Sequence, residues 1–151
     1  MLHVALWEPE IPPNAGNVAR LCAATGTRLH FIGRLGFRLD DRHLQRAGLD
    51  YWPAVDLAIH TGWDEFVTAI GSSRLICLSS KAAHVYTKVQ YQDGDCLVFG
   101  NESKGLPPEI LGRLAHITVT IPMPSGKVRS LNLATSVGIV LYEALRQRNG
   151  W

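Results

Sequence analysis

Residues 2–32 read LHVALWEPEIPPNAGNVARLCAATGTRLHFI, and the fold class turns on how this stretch is divided. Residues 2–7 (LHVALW) form a short apolar run of strand length. From Asn17 to Thr25 the pattern is helical, and Gly26 is the kind of residue that ends a helix in a left-handed turn. Residues 28–32 (RLHFI) read as a second strand. Strand, helix and strand in that order describe a βαβ unit, and such units build parallel sheets with helices on their faces.

The same alternation continues outward. Asp40 and Asp41 are good N-caps for a short helix. Residues 54–59 form a weak strand, and Trp63 to Ile70 a helix. Residues 74–78 (RLICL) and 95–99 (DCLVF) are clearer strands. Pro107-Pro108 opens a short helix to about Leu114, and residues 116–121 (HITVTI) give a last strand. The final helix runs from about Ser130 to Arg148. Leu133, Ala134, Val137, Val140, Leu141, Ala144 and Leu145 lie on one face, and Ile139 and Tyr142 add apolar surface off that stripe. Apolar surface on two faces calls for a second partner, and a homodimer supplies one economically.

With 151 residues, 46% hydrophobic and 19% charged, the chain fits one folded domain spanning residues 1–151. No apolar run approaches the roughly 20 residues of a membrane helix, and the N-terminus lacks the features of a signal peptide. Cys22, Cys77 and Cys96 sit apart in apolar runs, as buried free thiols of a cytoplasmic protein would. The net charge is only +2, but residues 28–46 gather Arg28, Arg34, Arg38, Arg42 and Arg46 against Asp40 and Asp41. That basic stretch reads either as a phosphate-docking surface or as a solvated helix face, with Arg34, Arg38, Arg42 and Arg46 the candidate phosphate contacts.

Three punctuated segments are candidates for chemistry. PPNAGNVAR (12–20) follows the first strand and places Asn14, Asn17 and Arg20 at a helix start, where amide donors and the dipole suit anionic oxygens. Arg20 in a first helical turn opposes that dipole, which favours a functional reason for it. VFGNESKGL (98–106) follows another strand. Gly100 and Gly105 permit close backbone approach to a ligand, and Glu102 can accept hydrogen bonds from loop amides or ligand hydroxyls. IPMPSGKVRSLNL (121–133) leads into the last helix, with Ser130 and Asn132 at its entry. Walker A, GxGxxG, GxSxG and HExxH patterns are absent, and the six histidines form no close pair in sequence.

In this order the three segments resemble the motifs of the SPOUT methyltransferases, and the match is closest to the small bacterial TrmL group, which methylates the wobble ribose of leucine tRNAs. The resemblance runs through EPEIPPNAGNVARLCAATG, RAGLDYW, YQDGD, FGNESKGLP, IPMPSGKVRSLNLA and VLYEA, and so covers the whole chain. It departs at Asn101, where TrmL relatives often have proline, and in the loop Pro124–Val128. The resemblance implies an α/β sheet with a C-terminal trefoil knot, an exception to the rule against threaded chains. It implies a homodimer with a site across the interface, and tRNA as substrate. It also implies S-adenosylmethionine as donor, leaving as S-adenosylhomocysteine, with no metal. The donor is expected against Leu78, Gly100, Glu102, Gly105, Ile121, Met123, Ser130 and Leu131. Asn14, Arg20, Ser130 and Asn132 fall on positions used for catalysis or substrate placement.

A ribose hydroxyl does not ionise at neutral pH, so its proton must leave during attack on the methyl group. A guanidinium is effectively never deprotonated, so Arg20 is expected to clamp the developing alkoxide and a nearby phosphate. The phosphate or a water takes the proton. Asn14 orients Arg20, and Ser130 and Asn132 fix the donor loop. Two alternatives stay open: methylation of a different tRNA or rRNA ribose, and a non-catalytic RNA-binding module on the same fold.

Overall fold

The computed structural model describes residues 1–48, 52–113 and 117–151. The strands are β1 (His3–Trp7), β2 (Arg28–Ile32), β3 (Leu57–His60), β4 (Leu75–Leu78), β5 (His84–Val85), β6 (Cys96–Phe99) and β7 (Ile117–Thr120). The α-helices are α1 (Pro12–Thr25), α2 (Arg42–Gly48), α3 (Trp63–Ile70), α4 (Pro108–Arg113) and α5 (Leu133–Asn149). All seven strands join one sheet in the order β3-β2-β1-β6-β4-β7-β5, and every pair is parallel. Helices cover both faces. On one, α1, α2 and α5 bury Val18, Cys22, Leu44, Val137, Val140 and Leu141 against Val4, Leu6, Phe31 and Leu97. On the other, Trp63, Phe66 and Ile70 of α3 and Ile110 of α4 pack on Ala5, Ile32, Cys77 and Val98. The α/β class with a mainly parallel sheet is therefore as the sequence predicts.

Boundaries differ in instructive places. Helix α1 begins at Pro12, not Asn17, because the two prolines occupy its first positions, where a missing N–H costs nothing. Arg20 is thus the ninth residue of the helix, beyond the first turn where a cation would oppose the dipole. Gly16 is one of the buried residues of the helix. It lies inside α1, where a Cβ would stand 2.5 Å from the Ala47 Cβ and 2.8 Å from the Leu44 carbonyl oxygen. The glycine lets α2 press onto α1. Helix α5 starts at Leu133, not Ser130, capped by Asn132. Asp41 caps α2 as expected, accepting from the amides of His43 (2.8 Å) and Leu44 (3.4 Å). The two-residue edge strand β5 has no sequence signal of its own. Part of the RAGLDYW run, the expected helix end at Leu114 and the expected strand start at His116 lie outside the described residues.

The cysteines are buried and free. Burial pushes the Cys22 and Cys77 thiols up to about 12, so neither is a nucleophile at neutral pH. The histidines, scattered in sequence, converge in space. His3 Nδ1 lies 3.0 Å from His30 Nε2, and His30 Nδ1 lies 3.0 Å from His60 Nε2. This row runs across β1, β2 and β3 beneath Phe66 of α3.

Candidate functional site

A cleft of about 1130 Å³ opens where the loops after β1, β4, β6 and β7 meet. Ligands of open parallel sheets bind at such carboxyl ends of strands. Apolar walls come from Leu78, Phe99, Ile121, Met123, Leu131 and Leu133, and cations at Lys81, Lys104 and Arg129 also line it. Every expected donor contact lines this cleft: Leu78, Gly100, Glu102, Gly105, Ile121, Met123, Ser130 and Leu131. Asn14 and Asn132 line it as well.

Hydrogen bonds tie the three segments together. Glu102 Oε2 accepts from the Ile11 amide (2.7 Å) and from Asn14 Nδ2 (3.3 Å), and its Oε1 accepts from the Glu10 amide (3.0 Å). In return, Glu10 Oε1 accepts from the Ser103 amide (3.0 Å) and hydroxyl, and these bonds hold the Glu10 carboxyl below its ordinary pKa. Asn14 Oδ1 accepts from Asn132 Nδ2 (3.0 Å), while Asn132 Oδ1 accepts from the Thr135 amide (3.1 Å) and so caps α5. One chain, Glu10–Ser103/Glu102–Asn14–Asn132, therefore joins the start of α1, the loop after β6 and the start of α5.

This geometry changes several assignments. The amino end of α1 does favour an anion, but the anion is the chain's own Glu102, whose oxygens are engaged by the backbone and Asn14. Glu102 fastens the cleft wall by accepting from loop amides, the first of the two roles expected of it. Asn14, 8% exposed, bonds to Glu102 and Asn132. Gly100 is needed for the chain itself. A Cβ there would lie 2.1 Å from the Gly105 carbonyl carbon and 2.2 Å from the Leu106 nitrogen. A side chain at Gly100 would therefore disrupt the loop itself. Gly105 is required by its left-handed φ of 68°.

Arg20 is exposed on α1 and does not line the cleft. It lies six residues beyond Asn14, hence about 9 Å along the axis and about 120° round the helix. Arg34, Arg38, Arg42 and Arg46 are all exposed, the last three on or just before α2. Arg38 pairs with Asp40 at 3.3 Å, both largely in solvent. Sequence reasoning missed Glu10, Ser103 and Lys81. Glu10 sits within the quoted EPEIPPN run, and an acid just before a proline-started helix was the available signal; its partner is 93 residues away.

This construction is that of an open parallel α/β protein whose loops at the carboxyl ends of the strands fold around one ligand cleft. The profile of the SpoU rRNA Methylase family matches residues 1–142, and the chain belongs to that family. A protein of Escherichia coli (strain K12), a tRNA (cytidine(34)-2'-O)-methyltransferase, is 48% identical over 148 residues, which cover 97% of this chain and 94% of the relative. A solved structure described as giving insight into the 2-OH methylation of C/U34 on tRNA is 50% identical. It superposes with a TM-score of 0.95, covering 100% of this chain and 98% of that one. The AdoMet-bound rRNA methyltransferase of Sinorhizobium meliloti is 28% identical with a TM-score of 0.86, covering 96% of this chain and 56% of its own.

Proposed function

We propose that this chain transfers a methyl group from S-adenosylmethionine to the ribose 2′-hydroxyl of the wobble nucleotide, cytidine or uridine, of tRNA, with leucine tRNAs as its substrates. The observation that carries the reading is the Glu102–Asn14–Asn132 chain, which gathers the three motif segments around one cleft. The near full-length likeness to the cytidine-34 enzyme supports the position and the ribose chemistry.

The cleft fits the donor. Ligand sites commonly span about 300–1,000 Å³, and about 1130 Å³ leaves room beside the donor for an entering nucleotide. Leu78, Ile121 and Leu131 would clasp the adenine, and backbone groups after Gly100 and around Met123 would meet its polar edges. When bound, S-adenosylmethionine supplies an electrophilic methyl on a sulfonium, and S-adenosylhomocysteine is left.

The chain's own residues position the reaction. The 2′-oxygen bonds to the methyl carbon as the carbon–sulfur bond breaks, and the hydroxyl proton passes to a phosphate oxygen or water. Arg20 would clamp the developing alkoxide and an adjacent phosphate. Because Arg20 lies outside its own chain's cleft, it would serve the cleft of a second copy in a homodimer. Tyr142 (44% exposed) and Trp151 (67% exposed), whose rings lie 6.5 Å apart, supply apolar surface for that partner. The juxtaposition of 78–81, 100–106 and 121–133, with α5 returning to pack on α1, supports a trefoil knot. Arg34, Arg38, Arg42 and Arg46 would bind tRNA phosphates. Among the described residues no helix is long and apolar enough to cross a membrane, and the site of action proposed is the cytoplasm.

Mapping the ribose methylations of tRNA from cells lacking this protein tests the reading. Loss of the wobble 2′-O-methyl group from leucine tRNAs, restored by the intact gene, is the expected result. Retention there, with loss elsewhere, would move the activity to another nucleotide.

A further inference from the structure

A second, smaller cavity of about 260 Å³ lies next to the donor cleft, and no role assigned so far uses it. It shares Asn101, Lys104, Gly105, Leu106 and Pro108 with the cleft, so the loop after β6 is a wall common to both. Its far side is Trp7, the last residue of β1 and half-buried. The indole meets Trp63 in an edge contact, ring centroids 6.4 Å apart. Next to it, Glu8 has a φ of 44°, the one left-handed non-glycine residue among those described. Such a conformation is costly for a side-chain-bearing residue and persists where the surroundings impose it. Here the Glu8 amide donates to the Ile32 carbonyl (2.8 Å), and its carboxylate accepts from the Arg34 amide (3.1 Å). The turn therefore ties the Trp7 cavity to the first residue of the exposed arginine stretch.

We propose that this cavity receives a nucleobase of the RNA adjacent to the methylated ribose, stacked on Trp7, with Lys104 on a flanking phosphate. An aromatic wall, Lys104 at the shared rim and continuity with the donor cleft match a single-stranded nucleic acid, whose bases and phosphates alternate; of the two carboxylates that also line the cavity, Glu8 and Glu109, the first is engaged by the Arg34 amide. The proposal rests on the RNA-methylating reading above.

The test uses the intact protein and a tRNA anticodon stem-loop, wild type or with an abasic nucleotide on either side of the wobble position. Trp7→Leu should weaken stem-loop binding about tenfold, the usual scale of one base–aromatic stack, and leave S-adenosylmethionine affinity unchanged. Trp7→Phe should recover most of the loss, which a mere packing role for the larger indole would not produce. One of the abasic stem-loops should bind wild type about tenfold more weakly and be insensitive to Trp7→Leu. Lys104→Gln should lower the salt dependence of binding. Equal stem-loop binding by wild type and a folded Trp7→Leu variant, or additive effects of that change with both abasic substitutions, overturns the cavity assignment. Failure of the wild-type protein to methylate the wobble ribose overturns the reading beneath it.

Discussion

Asn132 uses both ends of one amide: its oxygen caps α5 at the Thr135 amide and its nitrogen donates to Asn14. The two roles can be separated. Asn132→Ala should cost about 1–3 kcal/mol, the sum of a lost cap and a lost hydrogen bond, read as a lower urea midpoint. Asn132→Ser should recover the cap share of stability and not the link to Asn14, so donor affinity should stay reduced. Full recovery of donor affinity in the serine variant would reduce Asn132 to a cap. Gly16→Ala tests the close approach of α1 and α2. Helix propensity alone would gain about 1 kcal/mol, but the clash with Ala47 and the Leu44 carbonyl should reverse the sign, a net loss of about 1–2 kcal/mol. The sequence singles out Asn14, Glu102 and Asn132, which line the cleft, but not their partners. Glu102 and Asn14 are 88 residues apart, and only the sheet order brings a carboxylate to the amino end of α1. Gly100 shows the same limit: a glycine that admits its own chain looks, in sequence, like one that admits a ligand.

At the scale of elements, the histidine row under α3 gives the sheet a pH dependence. Burial pushes His30 down to about 3, helped by His3, His60 and Arg28, and burial also lowers His3 and His60. Asp56 and Glu65 act in the opposite direction on His3 and His60 respectively. A folded-state pKa below the unfolded 6.5 means the unfolded chain takes up protons first as pH falls. Stability is therefore full above about 6.5 and drains as pH drops towards 3. Between pH 7 and pH 5 the loss from His30 should be ~2 kcal/mol, measured by urea unfolding, and His30→Gln should flatten the profile. A wild-type midpoint constant over that range would contradict the neutral buried row. The strands β1 and β2 are legible as apolar runs, because parallel strands buried on both faces carry near-continuous hydrophobic residues, whereas β3, at the sheet edge with Ile59 exposed, carries only the weak pattern expected at 54–59 and ends at His60 beyond it. The register of the three is not legible, since no local signal says that His3, His30 and His60 fall in line. The start of α1 at Pro12 is not legible, because a proline pair reads equally as a loop or as a first helical turn, and β5 is too short to carry a pattern.

For the molecule as a whole, the charge asymmetry and the excess apolar surface of α5 were visible in composition, while the position of Arg20 outside its own cleft was not. A site completed by a second copy predicts complementation. Arg20→Ala alone should lose about 3 kcal/mol of transition-state stabilisation, a hundredfold or more in rate. Mixed with a cleft variant that cannot hold the donor, it should regain roughly a quarter of the wild-type rate, as random pairing into twofold dimers gives one intact site in half of them. No regain on mixing would place Arg20 and the cleft in the same chain's site or remove Arg20 from the reaction. The central claim is that one specific ribose hydroxyl receives the methyl group. It is tested most directly by single-turnover transfer of isotopically labelled methyl from S-adenosylmethionine to a leucine tRNA, run in parallel on the same tRNA with a 2′-deoxy wobble nucleotide. One label per tRNA, at the wobble ribose of the first and absent from the second, is the predicted result. Equal labelling of both tRNAs would contradict the account.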